Sequence, residues 1–370
     1  MNLQTRIFWC VIASAQPCIT QSMYNAILDR RYDEVTFACA HNAQSYKESE
    51  FKDVSTLSTS LAQTLISVRN QSEDISKQLE GGIRACKVPV FLQDGKLVAC
   101  HGINKYVIRD VKNAVDSWIE TAKKDIKKTL HIALPAIVEK AAKAAIKKLL
   151  PEKIANIYFN PDKVKAGDLD PSTIELSRFL AKIHTFIENN PHEIVTIFLE
   201  VWHKDPAMIK NTFTASGLTP YLYVQPIDTP WPTLHTMISQ NKRVVVFIDI
   251  TVDTNSYPFN TYSQFAWSSP YNFSSVEKLN QDATTNTKCP TPQWKNIKNG
   301  IWILQHFVTM GTGGNREQAE HANKKETILN RVNRYKQACD LKNPQFIWVD
   351  FYNTPKNNGV IDAIKALNGI

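Results

Sequence analysis

Glycine is scarce, at 12 in 370 residues, and none falls in a GxxxxGK or GxGxxG run. That excludes the glycine-rich loops that cradle nucleotide phosphates at a helix start. The seven cysteines are too few for a disulfide scaffold, and no CxxC pair suggests zinc. After the first residues no apolar run approaches the length of a membrane-spanning helix, so a soluble or peripheral mature protein is expected. Acidic residues are outnumbered: 43 Lys and Arg against 35 Asp and Glu leave a formal charge of +8, which favours anionic partners without choosing among them. The apolar share, 43%, suffices for a sizeable core and excludes wholesale disorder.

Residues 1–15 read as a secretory signal peptide: one positive charge, a short apolar stretch Ile7–Ala15, and Ala13-Ser14-Ala15 as a cleavage pattern. An ordinary N-terminal helix or strand is the other reading. Cleavage would leave six cysteines, an even number compatible with disulfides whose pairing cannot be read from sequence. A secreted or extracytoplasmic location follows from the signal reading.

Eight β-rich runs punctuate the remainder: Val35–Ala40, Ile83–Leu92, Leu97–Cys100, Ile194–Trp202, Arg243–Ile250, Gln264–Trp267, Ile301–Phe307 and Phe346–Tyr352. Several are continuously apolar, as buried parallel strands tend to be. Helix-compatible segments (Leu57–Leu79, Ile174–Asn189, Pro206–Ser216, Leu234–Gln240) separate most of them. The expected class is α/β, and eight strands make a closed (β/α)8 barrel over residues 16–370 the natural reading. Gln93-Asp94-Gly95-Lys96, between the second and third runs, also reads as a hairpin turn.

Residues 104–165 break the rhythm and read as a basic helical insertion after the third strand. Between Asn104 and Lys153 stand 12 Lys and Arg against 6 Asp and Glu. Lys140, Lys143, Lys147 and Lys148 share one side of a helix whose other side carries Ile137, Ala141, Ala144, Ala145 and Leu149. Such a face suits peripheral contact with an anionic membrane, and equally a solvated hairpin capping the barrel. No basic patch interleaved with aromatics supports nucleic acid.

In a parallel barrel the active site lies at the C-terminal strand ends. Those ends here carry His41 and Asn42, His101, Glu200, Asp249, Gln305 and His306, and Asp350. Two imidazoles suit phosphodiester cleavage, one taking a proton from the attacking hydroxyl and the other giving one to the leaving alkoxide. Charge developing on the phosphoryl oxygens needs a cation, for which Arg84 is the candidate. Trp267 and Tyr271 are candidates to line a substrate pocket, or rim packing. His306 reads as a packed barrel residue, and Cys39, Cys86 and Cys100 as buried thiols.

These residues resemble a family. Val35-Thr36-Phe37-Ala38-Cys39-Ala40-His41-Asn42-Ala43 is similar to the first-strand motif of the phosphatidylinositol-specific phospholipase C X-domain-like phosphodiesterases. Asn70-Gln71, Gln78–Arg84, Ala99-Cys100-His101-Gly102, Pro191–Glu200 and Phe346–Asn353 resemble its later elements, and the similarity spans nearly the whole chain outside 104–165. Gly217–Tyr223, Trp231–Leu234 and Arg243–Phe247 resemble its secreted plant, fungal and bacterial branch. The resemblance implies a distorted TIM (β/α)8 barrel and cleavage of a phosphoinositide-type lipid or related phosphodiester, with His41 as base, His101 as acid and Asp350 as a candidate to orient an imidazole. It also implies calcium in metal-dependent relatives, at the positions of Asn42 and Glu200. The chain departs from the pattern on the second strand, where inward positions carry Lys87 and Pro89 instead of a carboxylate. Losing that ligand weakens calcium binding. Either Lys87 replaces the metal, or the site is impaired and binds a phosphorylated headgroup without turning it over.

Overall fold

Period-two alternation decides which side of each strand faces inward, and two separate apolar clusters result. The computed structural model describes residues 26–48, 69–102, 152–282, 299–310 and 313–370, with Cys289 and scattered positions between 108 and 124. Thirteen strands occur among these residues. They are β1 (Phe37–Ala40), β2 (Ala85–Gln93), β3 (Lys96–Ala99), β4 (Ile174–Glu175), β5 (Val195–Val201), β6 (Leu222–Tyr223), β7 (Val244–Ile248), β8 (Asn260–Thr261), β9 (Ala266–Ser268), β10 (Ile301–Gln305), β11 (Thr309–Met310), β12 (Gly313–Gly314) and β13 (Phe346–Val349). The main sheet runs β6-β7-β5-β2-β1-β13-β10-β9, with β8 also beside β7, and every pairing along that path is parallel.

The sheet curls into a barrel that hydrogen bonds leave open between β8 and β9, where the short helix Tyr262–Phe265 carries the chain across. Inside lie Phe37, Cys39, Ala85, Phe198, Val245, Phe247, Ile301, Ile303, Phe346 and Trp348. The alternate positions (Ala38, Ala40, Cys86, Val88, Ile197, Val246, Leu304, Ile347) face outward against the helices. Helix Leu176–Asn189 meets them with Leu176, Phe179, Leu180, Ile183 and Ile187, spaced for one face of an α-helix. Phe198 is the hub of the interior, its ring 5.0 to 5.2 Å from those of Phe346, Phe247 and Trp348.

The expected third barrel strand is a correction. Lys96–Ala99 pairs antiparallel with β2 and then with β4, so it is the return arm of a hairpin and not a rung of the barrel. Asp94 and Gly95, both at positive φ, make the turn. Strands β6 and β8, at two residues each too short for a periodic signal, fill the wall instead. The run Leu57–Leu79 is helical only over Ile75–Glu80 among its described residues. The leader expected over 1–15 and the lysine face expected at 140–148 lie outside the described residues. Of the 104–165 segment, Glu152–Phe159 is helical, as are the described positions between 108 and 124.

Candidate active site

Strand register builds the site. Ala40 lies beside Val349 on neighbouring strands, so the next residue of each, His41 and Asp350, emerges side by side. Both chains then turn sharply, through Asn42 and Phe351 at positive φ. Gln71 pins the two strand ends, its amide donating to the His41 carbonyl at 2.9 Å and to that of Val349 at 3.0 Å. His41 Nδ1 is 2.9 Å from Asp350 Oδ1. The His41 ring lies flat on Phe307, with centroids 4.0 Å apart and planes 8° from parallel. Together these contacts leave the imidazole little freedom to rotate.

Asp350 is buried, and its Oδ2 meets no donor. Burial pushes its carboxyl up to about 8, against the pull of the Asn70 hydrogen bond and of His101 and Lys87. Burial likewise holds the His41 imidazole well below its ordinary value, and positive charge on Lys87 and His101 adds to this. His41 is therefore neutral near pH 7, as a base must be.

The β2–β3 hairpin brings the second histidine to the same mouth. Cys100 N bonds the Pro89 carbonyl at 3.3 Å, and His101 N donates to Asp170 Oδ2 at 2.6 Å. Gly102 is required here, because a Cβ would stand 2.2 Å from the Phe91 ring. Both imidazoles line one cleft of about 680 Å³, with Lys87, Glu200, Tyr271 and Asp350.

Alternation along β2 turns Lys87 and Pro89 inward, as expected from the sequence. The Lys87 ammonium donates to Asn42 Oδ1 at 2.9 Å and pairs with the Glu200 carboxylate. Burial pushes Glu200 up, but the charge and hydrogen bond of Lys87 with the two imidazoles outweigh it and bring it below its usual value. The pair of oxygens expected for calcium thus already holds an ammonium. No grouping of three His, Cys, Asp or Glu able to hold a metal occurs among the described residues. Asn42 and Glu200 do not fit a calcium site, and they serve Lys87.

The PI-PLC X 1 family model matches residues 164–368, more than half of the chain. The chain belongs to the PI-PLC X family. The match takes in Glu200 and Asp350; His41, Lys87 and His101 precede it. A PI-PLC X domain-containing protein of Arabidopsis thaliana is 22% identical over 51% of this chain and 44% of its own length. A second, from Arthroderma benhamiae, is 31% identical over 23% of this chain and 29% of its own. The alignments thus span less than half of either relative. Among solved structures, a Staphylococcus aureus phosphatidylinositol-specific phospholipase C superposes with a TM-score of 0.50 at 12% identity, covering 94% of this chain and 95% of that one. At that identity the likeness shows the fold, the open PI-PLC form of the TIM barrel.

Two expected site residues of this PI-PLC X chain lie elsewhere. Arg84 stands just before β2, at the end of the barrel opposite the cleft. It is 2% exposed, bonded to Glu193 at 2.6 Å and to the Leu79 and Ile83 carbonyls at 2.7 Å. It is a buried structural cation and cannot reach a phosphate in the cleft. Trp267 sits in register with Trp302 on the outward parity of β9 and packs on Trp302 and Tyr335, so it does not line the cleft. Tyr271 does line the cleft, 62% exposed at its rim. His306 is fully buried, its Nε2 2.8 Å from the Ala322 carbonyl, and burial lowers its pKa to about 3. Cys39, Cys86 and Cys100 are buried thiols. Sequence reasoning missed Asn70 and Phe307. Asn70-Gln71 belongs to a stretch that resembles the family, but nothing in the pattern tells which way its amide points.

Proposed function

We propose that the cleft cleaves a phosphodiester of the inositol-phospholipid type, with His41 as general base and His101 as general acid. The family and the fold support a phosphodiesterase-type function. The observation that carries the finer reading is the His41–Asp350 bond: it occupies Nδ1 and leaves Nε2 of a neutral imidazole as the basic atom on a cleft that His101 also lines. In the step, a neighbouring hydroxyl of the substrate loses its proton to His41 Nε2 and its oxygen bonds phosphorus. The bond from phosphorus to the departing alkoxide breaks, and that oxygen takes a proton from His101. A cyclic phosphate results. Lys87 supplies the positive charge that a metal supplies elsewhere, facing the developing charge on the phosphoryl oxygens.

The cleft's volume suits a polyol phosphate headgroup. Exposed Trp202, stacked on Phe91 with centroids 5.5 Å apart, and Tyr271 give the rim an aromatic edge fit for a lipid interface. The basic segment 104–165 is a second candidate for membrane contact. The Cys289–Cys339 disulfide supports an oxidising, extracytoplasmic compartment. A second reading, headgroup binding without turnover, draws on the Lys87–Glu200 pair, in which the cation is already neutralised.

Release of phosphorylated headgroup from labelled phosphatidylinositol vesicles, with and without EDTA, tests the proposal. The expected result is chelator-insensitive turnover that falls by roughly 10²- to 10⁴-fold in His41→Ala and in His101→Ala. Binding of vesicles with no turnover would favour the second reading, and strict calcium dependence would remove Lys87 from its role.

A further inference from the structure

A single line of hydrogen bonds joins the cation of the cleft to its base. Lys87 Nζ donates to Asn42 Oδ1 at 2.9 Å, Asn42 Nδ2 to Asn70 Oδ1 at 3.1 Å, and Asn70 Nδ2 to Asp350 Oδ1 at 3.0 Å. The same Asp350 oxygen is 2.9 Å from His41 Nδ1. The three residues between Lys87 and His41 are dry: Asn42 is 2% exposed, Asn70 1% and Asp350 3%. Little of their surface is open to water, so each link is satisfied chiefly by its neighbour.

The direction of the line is set at one end. An ammonium only donates, so Asn42 must offer its carbonyl oxygen to Lys87. Its NH2 group then faces Asn70, which must offer a carbonyl oxygen in turn, and the Asn70 NH2 group faces Asp350. An amide flip at either asparagine would set two donors or two acceptors against each other. We infer that Asn42 and Asn70 are positioning residues that carry the donor polarity of Lys87 to Asp350 and so hold His41 in the tautomer with its proton on Nδ1.

The asparagines matter because Asp350 by itself does not fix that tautomer. Its surroundings favour a neutral carboxyl, and a neutral carboxyl has one oxygen that accepts and one that donates. A proton on Oδ1 would be offered to His41 Nδ1 as a hydrogen bond, which would make Nδ1 the acceptor, place the ring proton on Nε2 and remove the base. Asn70 donates to Oδ1, a bond that an unprotonated oxygen accepts more strongly, and so favours any proton on Oδ2, which meets no donor. His41 Nδ1 then donates whether Asp350 is charged or neutral, and Nε2 keeps its lone pair. The inference rests on the reading of His41 as base for its catalytic meaning, but its structural content stands apart from turnover.

The test is nuclear magnetic resonance of the full chain labelled with ¹⁵N-histidine, with His41 signals assigned by His41→Gln. At pH 7 the wild-type ring is expected to carry its proton on Nδ1 alone. In Asn70→Ala the Nε2–H form is expected to appear, and kcat to fall about 10-fold or more while KM moves little. That loss should shrink at alkaline pH, where Asp350 ionises and can only accept. Lys87→Met, two links further from Asp350, should shift the same tautomer in the same direction by less, and decides the matter should Asn70→Ala not fold. The buried His306 signals report on the fold and should stay fixed in both. An Nε2–H ring in the wild type, or an unchanged Nδ1–H ring in the folded variants, overturns the inference. Absence of turnover on any phosphodiester with the tautomer pattern intact would instead count against His41 as base.

Discussion

At the scale of single residues, the site depends on where charge is kept out of water. Asp350 is the costly member. Its carboxyl sits at about 8 in the folded chain, against an ordinary value near 3.8, because burial disfavours the charged form. A group whose folded pKa is raised binds more protons folded than unfolded between the two values. Its ionisation therefore lowers stability as pH climbs from about 4 to about 8. Asp350→Asn removes that titration. The expected outcome is a Tm advantage over the wild type that grows steadily across this window, followed by thermal denaturation at several pH values. Activity should move the other way, down by roughly 10²-fold or more, since an amide can turn its NH2 towards His41 Nδ1. A Tm difference that is flat with pH would show that the carboxylate is already charged in the folded state. Gly314 explains why Asp350 Oδ2 is shut off from water: a Cβ there would stand 2.5 Å from it, so the backbone itself covers that oxygen.

At the scale of elements, parity was legible and depth was not. The alternation on β2 told correctly that Lys87 and Pro89 face inward, and the turn residues of 93–96 carried the hairpin that the barrel count overrode. Arg84 shows what a strand pattern omits. It stands one residue before β2, so it belongs to the far end of the barrel, and a motif does not state height along the axis. Trp267 failed by parity: β9 is three residues long, too short for alternation to be read, and in it Ala266 and Ser268 take the inward positions. Two substitutions separate the aromatics that were grouped together. Trp267→Ala should cost about 2 kcal/mol of stability through lost packing on Trp302 and Tyr335, with KM unchanged. Tyr271→Ala, at an exposed rim position, should leave Tm within a degree or so and raise KM on vesicles several-fold. Denaturation curves and vesicle kinetics on both proteins check the contrast, and the opposite pattern would return Trp267 to the cleft.

At the scale of the whole molecule, the covalent frame is the feature that composition left most open. The cysteine count, even only if a leader were cleaved, was compatible with disulfides, yet only the fold could say that Cys289 meets Cys339, because the pair joins the chain before β10 to the end of helix Lys325–Cys339. Cys39 and Cys86 are buried in the barrel wall and Cys100 just after the hairpin strand β3, and burial holds each thiol well above its ordinary range, so they are poor thiolates and poor exchange partners. The bridge closes a loop of 50 residues, for which loss of unfolded-state entropy stabilises the native chain by about 4 kcal/mol. Because it lies on the helical shell and none of its atoms lines the cleft, that stabilisation is separable from chemistry. Cys289→Ser with Cys339→Ser, or reduction of the native protein, should lower Tm by several degrees and leave kcat/KM at 25 °C within about two-fold. Alkylation followed by mass analysis should find Cys39, Cys86 and Cys100 unmodified until the chain unfolds. Labelling of any of them at the rate of an exposed thiol, with the protein still folded, would mean that the structure around it opens far more readily than its packing allows.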